Sequence, residues 1–358
     1  MSPFPPLQGL QRSGHPPPAG ALSFFAPCMW RSVRVSGRYR PMCILPVIST
    51  ATLLLLLCLS AVLPQSLEAA KFYKYRDADG NPAFSDRPLV GLEKVSVKQV
   101  TPGRRSERVT VSQIGTSDEP VLQLINEYYG PAEIEIDLIE KNNVKTINPL
   151  PGRWVVPARQ EVRAVTVQAV KAGQPWSFRY QYRSVPGSPA ARHRPLSPYR
   201  MPFPAASSFV VSQGFGGQVS HKGPASAYAI DISMPDGTPV RAAREGVIMD
   251  VAFDYYDGGL DRNKYRERAN YVRILHDDGT MAIYVHLRLE SVRYPLGARV
   301  KAGAVIAKSG NTGYSSGPHL HFAIQRNAGM QLVSEPFTFA GPAGTSIIPL
   351  RGGVLTGH

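Results

Sequence analysis

His319 and His321, within Gly317-Pro318-His319-Leu320-His321-Phe322, are the residues whose types and spacing speak most directly of chemistry in this sequence. In an extended strand, residues i and i+2 face one side of a sheet. The two imidazoles would therefore stand side by side, with Leu320 turned into a core. Two imidazoles aimed at one point fit a metal site or an acid–base pair. His221, Asp231 and His286 lie upstream in contexts that also suit a site. A hydrolytic metal centre uses three protein ligands from histidine and carboxylate, and leaves one position for water. His221, Asp231 and His321 can supply two nitrogens and one oxygen. His286 and His319 then remain to exchange protons with the water and to stabilise an oxyanion. That inventory suits metal-assisted hydrolysis. Taken singly, Asp231 reads as a turn or capping residue near Pro235-Asp236-Gly237, and His221 as a polar loop residue. Taken with the His-x-His pair, the convergent reading is stronger.

The elements that must position these residues are strands. Proline (33) and glycine (32) are frequent among 358 residues, which suits strands and turns better than long helices. Asn270 to His276 and Met281 to His286 flank Asp277-Asp278-Gly279-Thr280, a hairpin signal. His286 would end a strand, and His276 would sit exposed beside the turn. Upstream, Glu133 to Leu138 and Trp176 to Arg183 alternate polar and apolar residues, and Val162, Val165 and Val167 mark a further strand. This pattern implies a small antiparallel sandwich over residues 107–185, polar side out. It carries no evident chemistry and reads as a spacer, a wall-binding module or a cover. Pro186 to Pro195 is a linker by composition, with His193 in it solvated and idle. The fold class is mostly β: an antiparallel catalytic domain preceded by a small β-sandwich.

The constellation resembles the lysostaphin-type zinc metallopeptidases over residues 205–330. The matching residues are His221, Tyr228-Ala229-Ile230-Asp231, Gly237-Thr238-Pro239-Val240, Tyr284-Val285-His286-Leu287 and Gly310 to Phe322. The resemblance implies an antiparallel, mostly β fold with its site in a groove. By position it implies zinc ligands at His221, Asp231 and His321, and catalytic histidines at His286 and His319. It also implies cleavage of peptide cross-links in peptidoglycan. Two features depart from the family pattern. Nine residues, Lys222 to Ile230, separate the first histidine from the aspartate where most members have three, which puts His221 on a longer loop. Ala323 follows Phe322 where an acidic residue is common. Asp254 to Arg268 reads as an insertion at the groove rim, either shaping substrate access or forming a solvated loop.

The N-terminus points to export. Arg31, Arg34, Arg38 and Arg40 precede an apolar run from Cys43 to Leu63, and the small Ala69 and Ala70 follow. That is the order of a secretory signal peptide, with translation starting at Met1, Met29 or Met42. The alternatives are an uncleaved membrane anchor and, through Cys58, a lipoprotein signal. Cys28, Cys43 and Cys58 are the only cysteines, so an exported part beginning near Lys71 has neither disulfide nor thiol nucleophile. Residues 71–100 resemble a small module of unknown function found in many exported proteins of Gram-negative bacteria. Its Asp77/Asp79 pair lies in a turn and lacks the bidentate Glu of a calcium loop. The expected organisation is a leader (1–70), an N-terminal module (71–105), a sandwich (106–190), a zinc metallopeptidase domain (196–345) and a tail (346–358), in a periplasmic or membrane-anchored protein.

The net charge of +14 favours an anionic partner, such as a cell-wall polymer or membrane surface, or serves solubility alone. No Lys/Arg cluster is interleaved with aromatics, so nucleic acid is not the expected partner. Three rivals to the hydrolase remain. The first is a non-catalytic wall-binding protein or amidase activator, which would lack ligand residues. The second is a cupin, which would need a carboxylate after His321 where Ala323-Ile324-Gln325-Arg326 offers none. The third is a purely electrostatic binder, which would be steeply salt-sensitive and indifferent to chelation.

Overall fold

The computed structural model describes residues 31–37, 70–76, 82–85, 96–100, 107–116, 118–217 and 219–358. The chain divides into two compact units, Gly37–Arg104 and Met1–Ser36 with Arg105–His358. In the smaller unit, Ala70–Arg76 is the centre of three antiparallel strands, between Pro82–Ser85 and Ser96–Val100. The expected Asp77 to Asn81 turn and the apolar run from Cys43 to Leu63 lie outside the described residues. Among the described residues, no helix is long and apolar enough to cross a membrane.

The larger unit begins with the sandwich. One sheet is ordered Arg31–Gly37, Trp176–Pro186, Ala132–Asn142, Gly152–Val156. The other is ordered Val109–Gly115, Pro120–Asn126, Glu161–Ala169, Val144–Thr146. Their inward rows, including Leu122, Leu124, Ile134, Ile136, Val165 and Phe178, fill one core. The polar row does not all face water. Glu133 and Glu135 are buried as well. Glu135 takes Arg153 and Arg183 as partners. Glu133 accepts hydrogen bonds from Asn327 Nδ2 (2.9 Å) and the Met330 amide (2.7 Å) of the following domain. Strict alternation correctly marks the strand, but it cannot reveal that the second face is also covered.

The rest is built on one nine-stranded sheet. Its order is Arg299–Val300, Gly246–Ala252, Tyr271–Leu275, Met281–Val285, His319–Asn327, Ile230–Ser233, Ser208–Gln213, Val354–Thr356, with Leu332–Glu335 pairing along the far end of His319–Asn327. All neighbours are antiparallel. Residues 354–356, expected in a tail, form an edge strand paired with Ser208, Phe209 and Val210. One face carries the main core, with Ile230, Ile232, Tyr284, Leu320, Phe322 and Ile324. The other carries a smaller apolar floor of Ala229, Tyr271, Ile283, Val285 and Ala323. Burying Leu320 in the main core is what turns His319 and His321 to the opposite side.

The hairpin Tyr271–Leu275/Met281–Val285 forms as expected, but His276 is buried rather than exposed. Its ring lies 6.1 Å from that of Tyr199, and the linker covers the turn beside it. The Arg192 amide donates to Asp278 O at 3.1 Å, and Ala191 packs where a Cβ on Gly279 would collide, so residues 187–195 lie over the turn. His193 is half-buried, and its Nε2 lies 3.1 Å from Tyr199 Oη with the rings stacked, so it is neither solvated nor idle.

Candidate metal centre and active site

Sheet register sets the site. Gln213 pairs with Asp231, and Asp231 with His321, so three polar side chains stand in a row across adjacent strands. His319, two residues before His321, joins the same face. His321 Nδ1 lies 2.8 Å from Asp231 Oδ1, and His319 Nε2 lies 3.8 Å from the same oxygen. His221 arrives from the loop between Ser208–Gln213 and Ile230–Ser233. The Gly216 amide, donating to Ala227 O, closes that loop on itself, and the His221 amide donates to Gly217 O. The longer spacing therefore folds into a compact turn, and His221 Nε2 comes within 3.2 Å of Asp231 Oδ1.

His286 follows the strand Met281–Val285. Val285 faces the site side, so continued alternation would send His286 into the main core. Instead its backbone adopts φ +65°. That left-handed conformation is costly for a residue with a side chain, on the order of 1–3 kcal/mol. It swings the ring back to the site, with its centroid 4.5 Å from His319 and 6.2 Å from His321.

Each histidine has one ring nitrogen placed by a backbone or carboxylate partner. His221 Nδ1 is 3.0 Å from Gly214 O. His286 Nδ1 is 2.6 Å from Thr312 O. His319 Nδ1 is 2.8 Å from Gly317 O and 3.2 Å from Ser315 Oγ. A carbonyl can only accept, so Nδ1 of His221, His286 and His319 carries a proton, and Nε2 is the ring nitrogen that faces the site. Gln213 Nε2 donates to Asp231 Oδ2 at 2.8 Å, while its Oε1 accepts from the Val219 and Ser220 amides. That one side chain thus ties the His221 loop to the aspartate. Sequence reasoning missed Gln213, Thr312, Gly214 and Ser315. Gln213 had a signal, since it ends a strand directly before the loop that carries His221. Thr312 and Gly214 act through main-chain carbonyls, which residue type does not reveal.

Charge states follow from burial and contact. Burial alone would raise the Asp231 carboxyl, but hydrogen bonds from His221 and His321 overcome it and hold Asp231 well below the usual carboxylate range. Burial pushes His321 down, against the pull of Asp231. Burial also pushes His286 well down, reinforced by His319 and His321. At neutral pH the carboxylate is ionised, and His286 and His321 are neutral bases. His221, Asp231 and His321 offer donor atoms all within 4.8 Å of one another. Two imidazole nitrogens and one carboxylate oxygen, buried, with His221 Nδ1 and Asp231 Oδ2 tied to outer partners, fit a divalent metal of the zinc class.

Comparison with known proteins agrees with this geometry. Residues 225–332 match the model of peptidase family M23, a span that begins just after His221. Residues 55–123 match DUF4124, a domain of unknown function. The glycyl-glycine endopeptidase ALE-1 of Staphylococcus capitis is 37% identical over 119 residues, covering 33% of this chain and 30% of ALE-1. Lysostaphin of Staphylococcus simulans is 35% identical over 119 residues, 33% of this chain and 22% of lysostaphin. DD-carboxypeptidase/endopeptidase Mpg of Neisseria meningitidis serogroup B is 39% identical over 98 residues, 27% of this chain and 20% of Mpg. The similarity thus spans less than a third of each relative. Across residues 225–332 this chain carries a lysostaphin-type peptidase family M23 domain.

Proposed function

We propose that this chain is a zinc-dependent endopeptidase of the bacterial envelope that hydrolyses peptide cross-links in peptidoglycan. The observation that carries this reading is the meeting of two sets of groups on one face of the sheet. The donor atoms of His221, Asp231 and His321 lie within 4.8 Å of one another. The ring of His286 lies 4.5 Å from that of His319 beside them. The glycyl-glycine endopeptidase and DD-carboxypeptidase/endopeptidase relatives support the substrate class. The N-terminal basic and apolar segments support export to the periplasm, with cleavage near Ala69 or Ala70.

His221, Asp231 and His321 would hold the metal. A zinc ion there supplies a Lewis acid that acidifies water and polarises a peptide carbonyl. His286, neutral and with its Nδ1 proton committed to Thr312 O, presents Nε2 as a proton acceptor. His319, less buried and at the mouth of the site, presents Nε2 beside it. Together they would take a proton from the attacking water, steady the developing oxyanion and return a proton to the leaving amine.

The test is digestion of purified peptidoglycan with and without chelator. Activity should disappear with chelator and return on adding zinc. Digestion that persists in the fully metal-free protein would end this reading.

A further inference from the structure

We propose that the rim segment 254–268 is a binding subsite for a free carboxylate on the peptide that the neighbouring site takes. This inference rests on the peptidase reading above and names a feature of its substrate.

The segment is fastened to the site. Gly258 and Gly259 pair in parallel with Gly313 and Tyr314, and a Cβ at Gly258 would collide with the Asn311 carbonyl. The Gly313 amide donates to Asp257 O, and the Ser315 amide to Gly259 O. Ser315 Oγ is in turn 3.2 Å from His319 Nδ1. The rim is therefore joined by backbone hydrogen bonds to the strand that positions His319.

Beyond that ladder a short helix, Arg262–Tyr265, starts at Asp261, whose side chain accepts from the Asn263 and Lys264 amides. An open hollow of about 390 Å³ lies there, lined by Arg262, Asn263, Lys264, Arg266, Glu267 and Arg268. The lining includes four cations and one carboxylate, and Asp257 and Asp261 in the same segment are engaged by Lys264 and by the start of the helix. Lys264 is held by Asp257 at 3.5 Å and by Tyr265 Oη. Arg262 and Arg268 form no ion pair among the described residues. Two guanidinium groups beside a polar hollow suit a carboxylate, which arginine grips with paired hydrogen bonds. The hollow is open to solvent, so a side group of a peptide can reach it. An acidic peptide is thus the ligand that the two guanidinium groups favour on a segment bonded to the loop before His319.

The test uses two probes whose C-terminal D-Ala is amidated, the peptide Ala-γ-D-Glu-Lys-D-Ala-amide with its glutamyl α-carboxylate free and the same peptide with that carboxylate also amidated. Calorimetric titration of the purified zinc-loaded protein should show the acid form binding about tenfold tighter than the amide. Arg262→Ala combined with Arg268→Ala should bring the two affinities within about twofold, with zinc content unchanged; 1 M NaCl should do the same to the wild type. Equal binding of the two peptides by the wild type, no binding of either at millimolar concentration, or an acid preference that survives the double substitution would each overturn the proposal. Peptidoglycan digestion is scored separately. Preference without digestion would defeat only the hydrolase reading, and digestion without preference only this one.

Discussion

Gln213 Nε2 stands 2.8 Å from Asp231 Oδ2, the carboxylate oxygen opposite the one approached by His221 and His321. The two residues face each other in register on adjacent strands. Gln213 thereby fixes the carboxylate's rotation and, through the Val219 and Ser220 amides, the loop bearing His221. Gln213→Ala should retain the fold but weaken zinc binding by about 10- to 100-fold, as removal of an outer partner of a metal ligand typically does. Competition with a coloured chelator measures this directly. Unchanged affinity would show that the loop and carboxylate are positioned without it.

The two histidines outside the donor set should separate from the ligands in behaviour. His286→Ala and His319→Ala should each keep bound zinc and lose on the order of 100-fold or more in hydrolysis rate. His321→Ala and Asp231→Ala should lose most of the metal. In the proposed mechanism His286 and His319 serve one step, so their double variant should be far less impaired than the product of the single losses. Metal analysis beside rate measurement distinguishes the classes. Loss of zinc from His319→Ala would move that residue into the donor set.

His276 makes acid stability a property of the hairpin. Its Nδ1 is 2.7 Å from Glu245 O, and burial pushes its pKa down to about 4. The unfolded chain takes up this proton near pH 6.5, whereas the folded chain resists it until about pH 4. The contribution is thus neutral above pH 6.5 and grows unfavourable as pH falls through that window, to on the order of 3 kcal/mol. Urea unfolding at several pH values should show a shallower acid loss in His276→Gln than in the wild type. Parallel curves would mean that other groups dominate.

The sandwich and the peptidase sheet share buried charge. Arg108 Nε, from the sandwich, meets Asp250 Oδ1 at 2.8 Å, and Tyr271 Oη donates to Asp250 Oδ2. The Asp250 side chain is 1% exposed. Arg108→Ala should cost about 3 kcal/mol by removing a charged partner from a buried carboxylate. Adding Asp250→Asn should recover part of that loss. A loss below about 0.5 kcal/mol in thermal or urea unfolding would mean that water replaces the arginine.

The parts of the site legible in the sequence were those fixed by strand period. His319, Leu320 and His321 divide between the two faces as alternation requires, and the hairpin leading to His286 forms where Asp-Asp-Gly-Thr marks it. Alternation alone would have misplaced His286 itself. Its positive φ, which no residue type announces, brings it back to the site. His276 and His193 were misjudged because a Pro- and Gly-rich segment reads as solvated linker, yet here it lies on the hairpin turn. The strand Val354–Thr356 was missed because three residues carry too little pattern to be told from a tail.

The most direct test of the central claim compares zinc-loaded wild type with zinc-loaded His286→Ala on purified peptidoglycan, with products identified by mass. The account predicts that the wild type releases fragments whose peptide cross-links are cut and whose glycan linkages are intact, and that His286→Ala, with equal zinc, releases almost none. Cleaved glycan with intact cross-links, or near wild-type digestion by His286→Ala, would contradict it.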